Sequence, residues 1–229
     1  MSFFSSLKLV LSRPHPEAYP FLVTSALISS IAYKVSHRLR CPLLRGVGHI
    51  STSFFAFCLY FFRDPERVTP TSPHNVVAPA DGRIVSIEKM TPPQELGLGT
   101  TPVWRIATFL SVLNVHVNRV PATGVVTRVV YTPGLFINAN LDKASEDNER
   151  NALTITLPDN RTLAVVQIAG LVARRIVCSV TEGTSVQVGE RFGLIRFGSR
   201  TDVYLPPDVE PLVSVGQTMV GGETVMAHL

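Results

Sequence analysis

Two uncharged apolar runs, Ala18–Tyr33 and Gly46–Phe62, lie near the start of the chain, and the twelve residues between them hold four basic side chains and no acid. Runs of 16 and 17 residues sit at or below the shortest length that spans a bilayer as a helix. The second carries Phe54, Phe55, Phe57, Tyr60, Phe61 and Phe62, the aromatic content of an interfacial element. The pattern predicts an N-terminal apolar helical hairpin embedded in or lying on one leaflet. A double span and a soluble pair of core helices are the alternatives. A cleavable signal peptide does not fit, because no long apolar run precedes Arg13-Pro14 and no small-residue cleavage site follows.

After Pro70 the periodicity changes. Short alternating or β-branched runs recur at Gly82–Glu88, Val103–Leu110, Gly124–Tyr131, Leu153–Leu157, Leu163–Ile168, Ile176–Val180, Arg191–Phe197 and Val213–Gln217. Gly, Pro and Asn-rich turns divide them, as at Pro121-Ala-Thr-Gly124 and Pro158-Asp-Asn160. This predicts a mainly β, β-rich α+β fold, an antiparallel sandwich or barrel-like domain. Helical stretches are expected at Leu110–Val115 and Ala169–Arg175.

At 229 residues the chain suits one compact domain with an appendage. Hydrophobic residues make up 45% and charged residues 17%, which is apolar for a soluble protein. The net charge of +4 is concentrated in residues 1–62, where six basic residues face a single acid, Glu17. A basic, apolar segment points to an anionic membrane surface. Nucleic acid is excluded as a partner, since the basic residues flank apolar runs and form no groove-like cluster. Cys41, Cys58 and Cys178 are scattered and odd in number, so neither a disulfide framework nor a metal site is expected, and the setting is cytoplasmic.

Candidate chemistry sits in Gly189–Pro206, where the strand-like run Phe192–Phe197 leads into Gly198-Ser199 and the β-rich Val203–Leu205 leads out. Three further blocks accompany it: Phe61–Pro70 with Val76–Arg83, Phe109–Pro121, and Pro133–Asn151. In this order the four blocks resemble the phosphatidylserine decarboxylase family in its short bacterial and archaeal form, over Phe61–Ala227. The resemblance implies a proenzyme that cuts itself between Gly198 and Ser199 into a large chain, 1–198, and a small chain, 199–229, which stay together as a heterodimer. Ser199 becomes a covalent pyruvoyl group, the one cofactor, and no metal is needed. Phosphatidylserine then loses CO2 through a Schiff base on that group, giving phosphatidylethanolamine.

The resemblance also assigns roles. His116, in Asn114–Pro121, is the acid/base, because imidazole takes and returns a proton near neutrality. Asp81 is its carboxylate partner in a triad-like arrangement. Taken alone, Asp81-Gly82 is a turn signal. Longer members carry a second histidine where this chain has Arg119, which cannot serve as a base. Arg119 is a candidate to bind the substrate's phosphate or carboxylate, Arg174 and Arg175 are the candidate phosphodiester contacts, and Asn148, Glu149 and Arg150 shape the site.

The expected organisation is therefore a membrane-associating segment, 1–62, and a catalytic domain, 63–229, peripheral or monotopic on the cytoplasmic face of the cell membrane. Two other readings stay open. The same chemistry suits another serine-headgroup lipid such as archaetidylserine. Pieces such as Ala78–Val85 and Val213–Gln217 also look like a biotinyl or lipoyl carrier barrel, although Lys89 is followed by Pro92-Pro93 where such a domain needs a hairpin lysine.

Overall fold

The computed structural model describes residues 12–135, 148–170, 175–196 and 198–229. The chain divides into two compact units, Met1–Glu66 and Arg67–Leu229.

The first unit is a hairpin of two helices, α1 (Tyr19–Leu39) and α2 (Pro42–Phe61). Pro20 and Pro42 sit in the first turns, where a missing N–H is tolerated. Arg40, in the left-handed region at φ 49°, ends α1, and its N–H bonds back to the Ser36 carbonyl. At ~1.5 Å per residue each helix is about 30 Å long. Pro16–Leu39 is long and apolar enough to cross a membrane, with a mean hydropathy of 1.2 over its best window.

The seam between the helices is small and polar. Ser29 Oγ bonds to Thr52 Oγ1 at 2.8 Å and donates to the Gly48 carbonyl, while Ser51 Oγ donates to the Ser25 carbonyl. A Cβ on Gly48 would reach 2.9 Å from the Tyr33 ring, so any larger residue there would have to push that ring aside. Many large apolar side chains face outward, Ile31 at 60% exposed, Leu43 at 76% and Ile50 at 72%, while Leu22 and Phe61 are buried. Serines inside and isoleucines outside is the reverse of a water-soluble helix pair.

The second unit is built on thirteen strands among the described residues: β1 (Asn75–Val77), β2 (Gly82–Met90), β3 (Val103–Leu110), β4 (Val117–Arg119), β5 (Gly124–Thr132), β6 (Arg150–Thr156), β7 (Thr162–Ala169), β8 (Ile176–Cys178), β9 (Ser185–Val186), β10 (Arg191–Ile195), β11 (Ser199–Tyr204), β12 (Thr218–Met219) and β13 (Val225–His228). They form an eight-stranded sheet in the order β12-β2-β3-β11-β7-β6-β5-β9, a three-stranded sheet β4-β10-β8, and the pair β1-β13. Every ladder between them is antiparallel. The mainly β, antiparallel expectation holds.

The large sheet is buried on both faces at its centre. Ile106, Val203, Val165 and Leu153 pair in register on one face and pack with Val120 and Phe192 from the small-sheet side. Ile168, Val166, Ala164 and Tyr204 line the other face. Two expectations fail here. Leu110–Val115 is no helix: the Asn114 side chain accepts from the Ser111 N–H and Oγ, both at 2.8 Å, and closes a tight turn instead. Val213–Gln217 is no strand, because Gln217 Oε1 accepts the Ser214 N–H within a turn, and β12 begins one residue later. The helix expected over Ala169–Arg175 falls largely outside the described residues.

Candidate active site

Gly198 and Ser199 lie where the chain leaves the small sheet for the large one. β10 ends at Ile195, the Arg196 N–H bonds to the Arg175 carbonyl, and β11 opens at Ser199. Gly198 bridges this change of direction at φ +69°, a conformation that other residues seldom adopt. Space is not its constraint, since a Cβ there would meet only Val112, at 4.0 Å. Ser199 lands in the middle of the large sheet, with Leu110 of β3 on one side and Ala169 of β7 on the other. It is fully buried, and its Oγ has no hydrogen-bond partner among the described residues.

His116 is brought to this point by the turn before β4. The Ile195 N–H donates to the His116 carbonyl, and the imidazole is wholly buried. Its Nε2 accepts the Gly198 N–H at 3.3 Å. Its Nδ1 lies 3.0 Å from the Asn114 carbonyl. An accepting Nε2 requires the proton on Nδ1, and the Asn114 carbonyl is placed to receive it. The ring therefore presents a lone pair one residue upstream of Ser199.

Asp81 is held elsewhere. Both its oxygens accept from Arg67 Nη2, at 2.9 and 3.0 Å, and Oδ1 accepts the Gly221 N–H at 2.8 Å. The structure does not join Asp81 to His116: the Nδ1 position of a triad carboxylate is filled by the Asn114 carbonyl. Asp81 instead braces the segment that meets β4, where the Arg119 N–H donates to the Pro79 carbonyl.

Arg119 is nearly buried, and its guanidinium donates to the Gly189 carbonyl at 2.8 Å. It lines an open cleft of about 730 Å³ with Arg67, Thr69, Thr123, Ser185 and Glu190, a lining that includes neither His116 nor Ser199. Arg174 lies outside the described residues. Arg175 is exposed, with its carbonyl held by the strand that leads to Gly198.

Of the block Pro133–Asn151, residues 136–147 lie outside the described residues, but its end reaches the site. Asn148 Nδ2 donates to the Ala169 carbonyl at 2.7 Å, and the Ala169 N–H donates to the Glu149 carbonyl. Both bonds fix the residue paired with Ser199. Arg150 turns to the opposite side and grips Glu95 through Nε at 2.7 Å and Nη2 at 2.9 Å. That contact, chiefly its hydrogen bond, holds the Glu95 carboxyl below its ordinary range.

Other positions beside the site carry no mark in the sequence. Asn114 lies within Phe109–Pro121, yet nothing in its type marks its carbonyl as the histidine's anchor. Thr108, Asn118, Gln167 and Thr201 are ordinary strand residues until the register brings them together. Among the described residues, no group of three or more His, Cys, Asp or Glu side chains could hold a metal ion.

Known proteins place this arrangement. A family profile described as phosphatidylserine decarboxylase matches residues 54–227. A phosphatidylserine decarboxylase proenzyme of Gluconacetobacter diazotrophicus is 66% identical over 229 residues, covering all of both chains. Its counterpart in Gluconobacter oxydans is 60% identical over all of both chains. One in Granulibacter bethesdensis is 58% identical, over all of this chain and 91% of its own. With Ser199 buried and the Gly198 N–H held by His116, these likenesses establish that the chain belongs to the phosphatidylserine decarboxylase family and is a decarboxylase.

Proposed function

We propose that this decarboxylase matures by cutting itself at Gly198-Ser199 and then converts phosphatidylserine to phosphatidylethanolamine at a membrane surface. The observation that carries the proposal is the contact of His116 Nε2 with the Gly198 N–H at 3.3 Å, beside a buried, unpartnered Ser199 Oγ. A hydroxyl becomes a nucleophile when a base within reach takes its proton. Ser199 Oγ passes its proton to His116 Nε2 and attacks the Gly198 carbonyl carbon. The peptide C–N bond breaks, the released nitrogen takes a proton back, and an ester joins Gly198 to Ser199 Oγ. Removal of the Ser199 Cα proton then breaks the Cβ–Oγ bond, and Gly198 leaves as a carboxylate carrying that oxygen. Uptake of one water and loss of ammonia turn residue 199 into a pyruvoyl group. The surroundings suit that group: the start of β11 is fixed on both sides by ladder bonds and shielded from solvent.

Once formed, the pyruvoyl group supplies a ketone that condenses with the headgroup amine and an electron sink for the pair released with CO2. His116 returns a proton after CO2 has left. Asn114 keeps its tautomer, and Asn148 keeps Ala169 in register with residue 199. Asp81 acts through Arg67 and Gly221 as a positioning residue for the β4 end. Arg175, tied to the strand two residues before Gly198, is the better placed of the described cations for the phosphodiester. Arg119 serves the separate cleft.

The inverted hairpin supports attachment to lipid on the cytoplasmic face, with the basic turn at Lys34, Arg38, Arg40 and Arg45 meeting anionic headgroups. Lys89 lies within β2, in register with Trp104, and so lacks the hairpin-tip position that a carrier barrel needs. Intact-mass measurement under denaturing conditions tests the reading. Two chains dividing after Gly198 are expected, with 199–229 about 17 Da lighter than the unmodified peptide because ammonia has been lost. One uncut mass, with lipid turnover intact in a Ser199→Ala variant, would refute it.

A further inference from the structure

The face of the large sheet that carries Ser199 holds a second feature, which self-cleavage does not use. One step along β11, Thr201 pairs with Thr108 of β3 and Gln167 of β7, and Gln167 pairs with Asn151 of β6. Directly paired and alternate residues share a face, so this row lies beside the row Leu110, Ser199, Ala169. Thr108, Thr201, Gln167 and Asn118 are fully buried.

A ladder of amides joins the two sheets here. Asn151 Nδ2 donates to Gln167 Oε1 at 3.0 Å, and Gln167 Nε2 donates to Asn118 Oδ1 at 2.8 Å. Gly193 permits the approach, because a Cβ there would collide with the Val177 carbonyl and crowd Gln167 Nε2. The ladder uses the oxygen of the Asn118 amide and leaves its nitrogen over. Thr108 Oγ1, Thr201 Oγ1 and Asn118 Nδ2 have no hydrogen-bond partner among the described residues. A single buried orphan is unfavourable; three grouped next to the reacting residue indicate a site built for a ligand.

We propose that these three groups seat the carboxylate of the seryl headgroup, once cleavage has parted Gly198 from residue 199. The proposal rests on the decarboxylase reading above. Thr201 lies two residues along the strand from the reacting carbon, about 6.6–6.8 Å at the strand rise. A carboxylate joined to that carbon through the headgroup nitrogen and its Cα comes within hydrogen-bond reach of such a hydroxyl. The groups are also neutral. A guanidinium in their place would hold the carboxylate as an ion pair and oppose loss of its charge as CO2. Two hydroxyls and an amide orient it, while Ile106, Val203 and Val165 on the next row keep it poorly solvated. The carboxylate is also the one headgroup feature that separates substrate from product, whose amine is otherwise equally able to bind.

Thr201→Val and Thr108→Val remove one hydroxyl each at nearly constant shape, and Thr201→Ser keeps it. The full-length proteins are purified after cleavage, their ketone is reduced with borohydride to stop turnover, and short-chain phosphatidylserine and phosphatidylethanolamine are titrated by calorimetry. The parent and Thr201→Ser should prefer phosphatidylserine. Each Val variant should lose on the order of ten- to a hundred-fold of that preference, as expected for a hydrogen bond to a charged group, with phosphatidylethanolamine affinity unchanged. An unchanged preference in both Val variants, with only the thermal midpoint moved, would overturn the proposal and leave the groups as holders of buried water. The two Val variants are independent, so misfolding of one leaves the test standing. A parent that is never cut is seen by mass before any titration, and that result counts against the self-processing reading rather than against this carboxylate seat.

Discussion

Replacing Asp202 with Ala should destabilise the protein far more than an ordinary strand substitution. Asp202 and Arg200 lie on the face of β11 opposite Ser199, with relative side-chain exposures of 1% and 0%. Arg200 Nε meets Oδ1 at 2.6 Å and Nη2 meets Oδ2 at 2.7 Å, a two-pronged contact flanked by Ala107 and Val166. Removing the carboxylate leaves a guanidinium inside the sheet with its main charge partner gone, which costs roughly 3–5 kcal/mol. Domains of this size hold only about 5–15 kcal/mol in total, so a large share of the stability would vanish. Replacing both residues, Arg200→Met with Asp202→Leu, removes the buried charges together and should be near neutral or somewhat stabilising. Trp104, the single tryptophan, reports directly: it sits in β3, and its carbonyl accepts the Leu205 N–H at the end of β11. Urea unfolding of the full chain in detergent, followed by Trp104 fluorescence, compares the parent with the single and the double variant. If the single variant fell within about 1 kcal/mol of the parent, or the double variant were as unstable as the single, the buried-charge argument would be refuted.

Three further outcomes are expected. His116→Ala should leave the chain uncut, or cut but unable to release CO2, by intact mass and lipid turnover; parent-like behaviour in both assays would remove the imidazole from the mechanism. Deleting residues 1–62 should move the protein from the pellet to the supernatant with anionic liposomes, and continued full pelleting would mean that the hairpin is not the anchor. Glu95 has a folded-state pKa depressed chiefly by its hydrogen bond from Arg150, so its contribution to stability is present above the ordinary glutamate range and is lost as pH falls through the folded value. Glu95→Gln should therefore flatten the loss of stability across that acidic window, and an unchanged acid profile would count against the ion pair.

The fold was legible wherever burial is one-sided or continuous. β2, β3, β5 and β7 coincide with apolar or alternating runs because their composition repeats their surroundings. β11 resisted such reading. Its Ser-Arg-Thr-Asp start looks like a solvated turn, yet all six of its residues are buried, with polar groups satisfied or left waiting on each face. The site was legible as a set of blocks but not as a geometry. His116 meets Gly198, the neighbour of Ser199, whereas Asp81 is drawn to Arg67 and the histidine takes a backbone carbonyl as its partner. A main-chain acceptor has no side-chain signature, and a cross-strand amide ladder exists only once register is set. Neither can be seen along a single dimension.

The placement of β11 has a consequence for the life history of the molecule. Under the proposed cut at Gly198-Ser199, β11 would open the small chain as an interior strand, flanked by β3 and β7 of the large chain. Before the cut, one continuous polypeptide can find this arrangement; afterwards, two separate pieces would have to rethread a strand between neighbours that would otherwise close on each other or on other molecules. On that reading, maturation would be a one-way gate. A molecule that unfolded after such a cut would refold poorly, and its exposed sheet edges would favour aggregation. Working lifetime is set by how slowly the matured sheet opens, more than by its equilibrium stability.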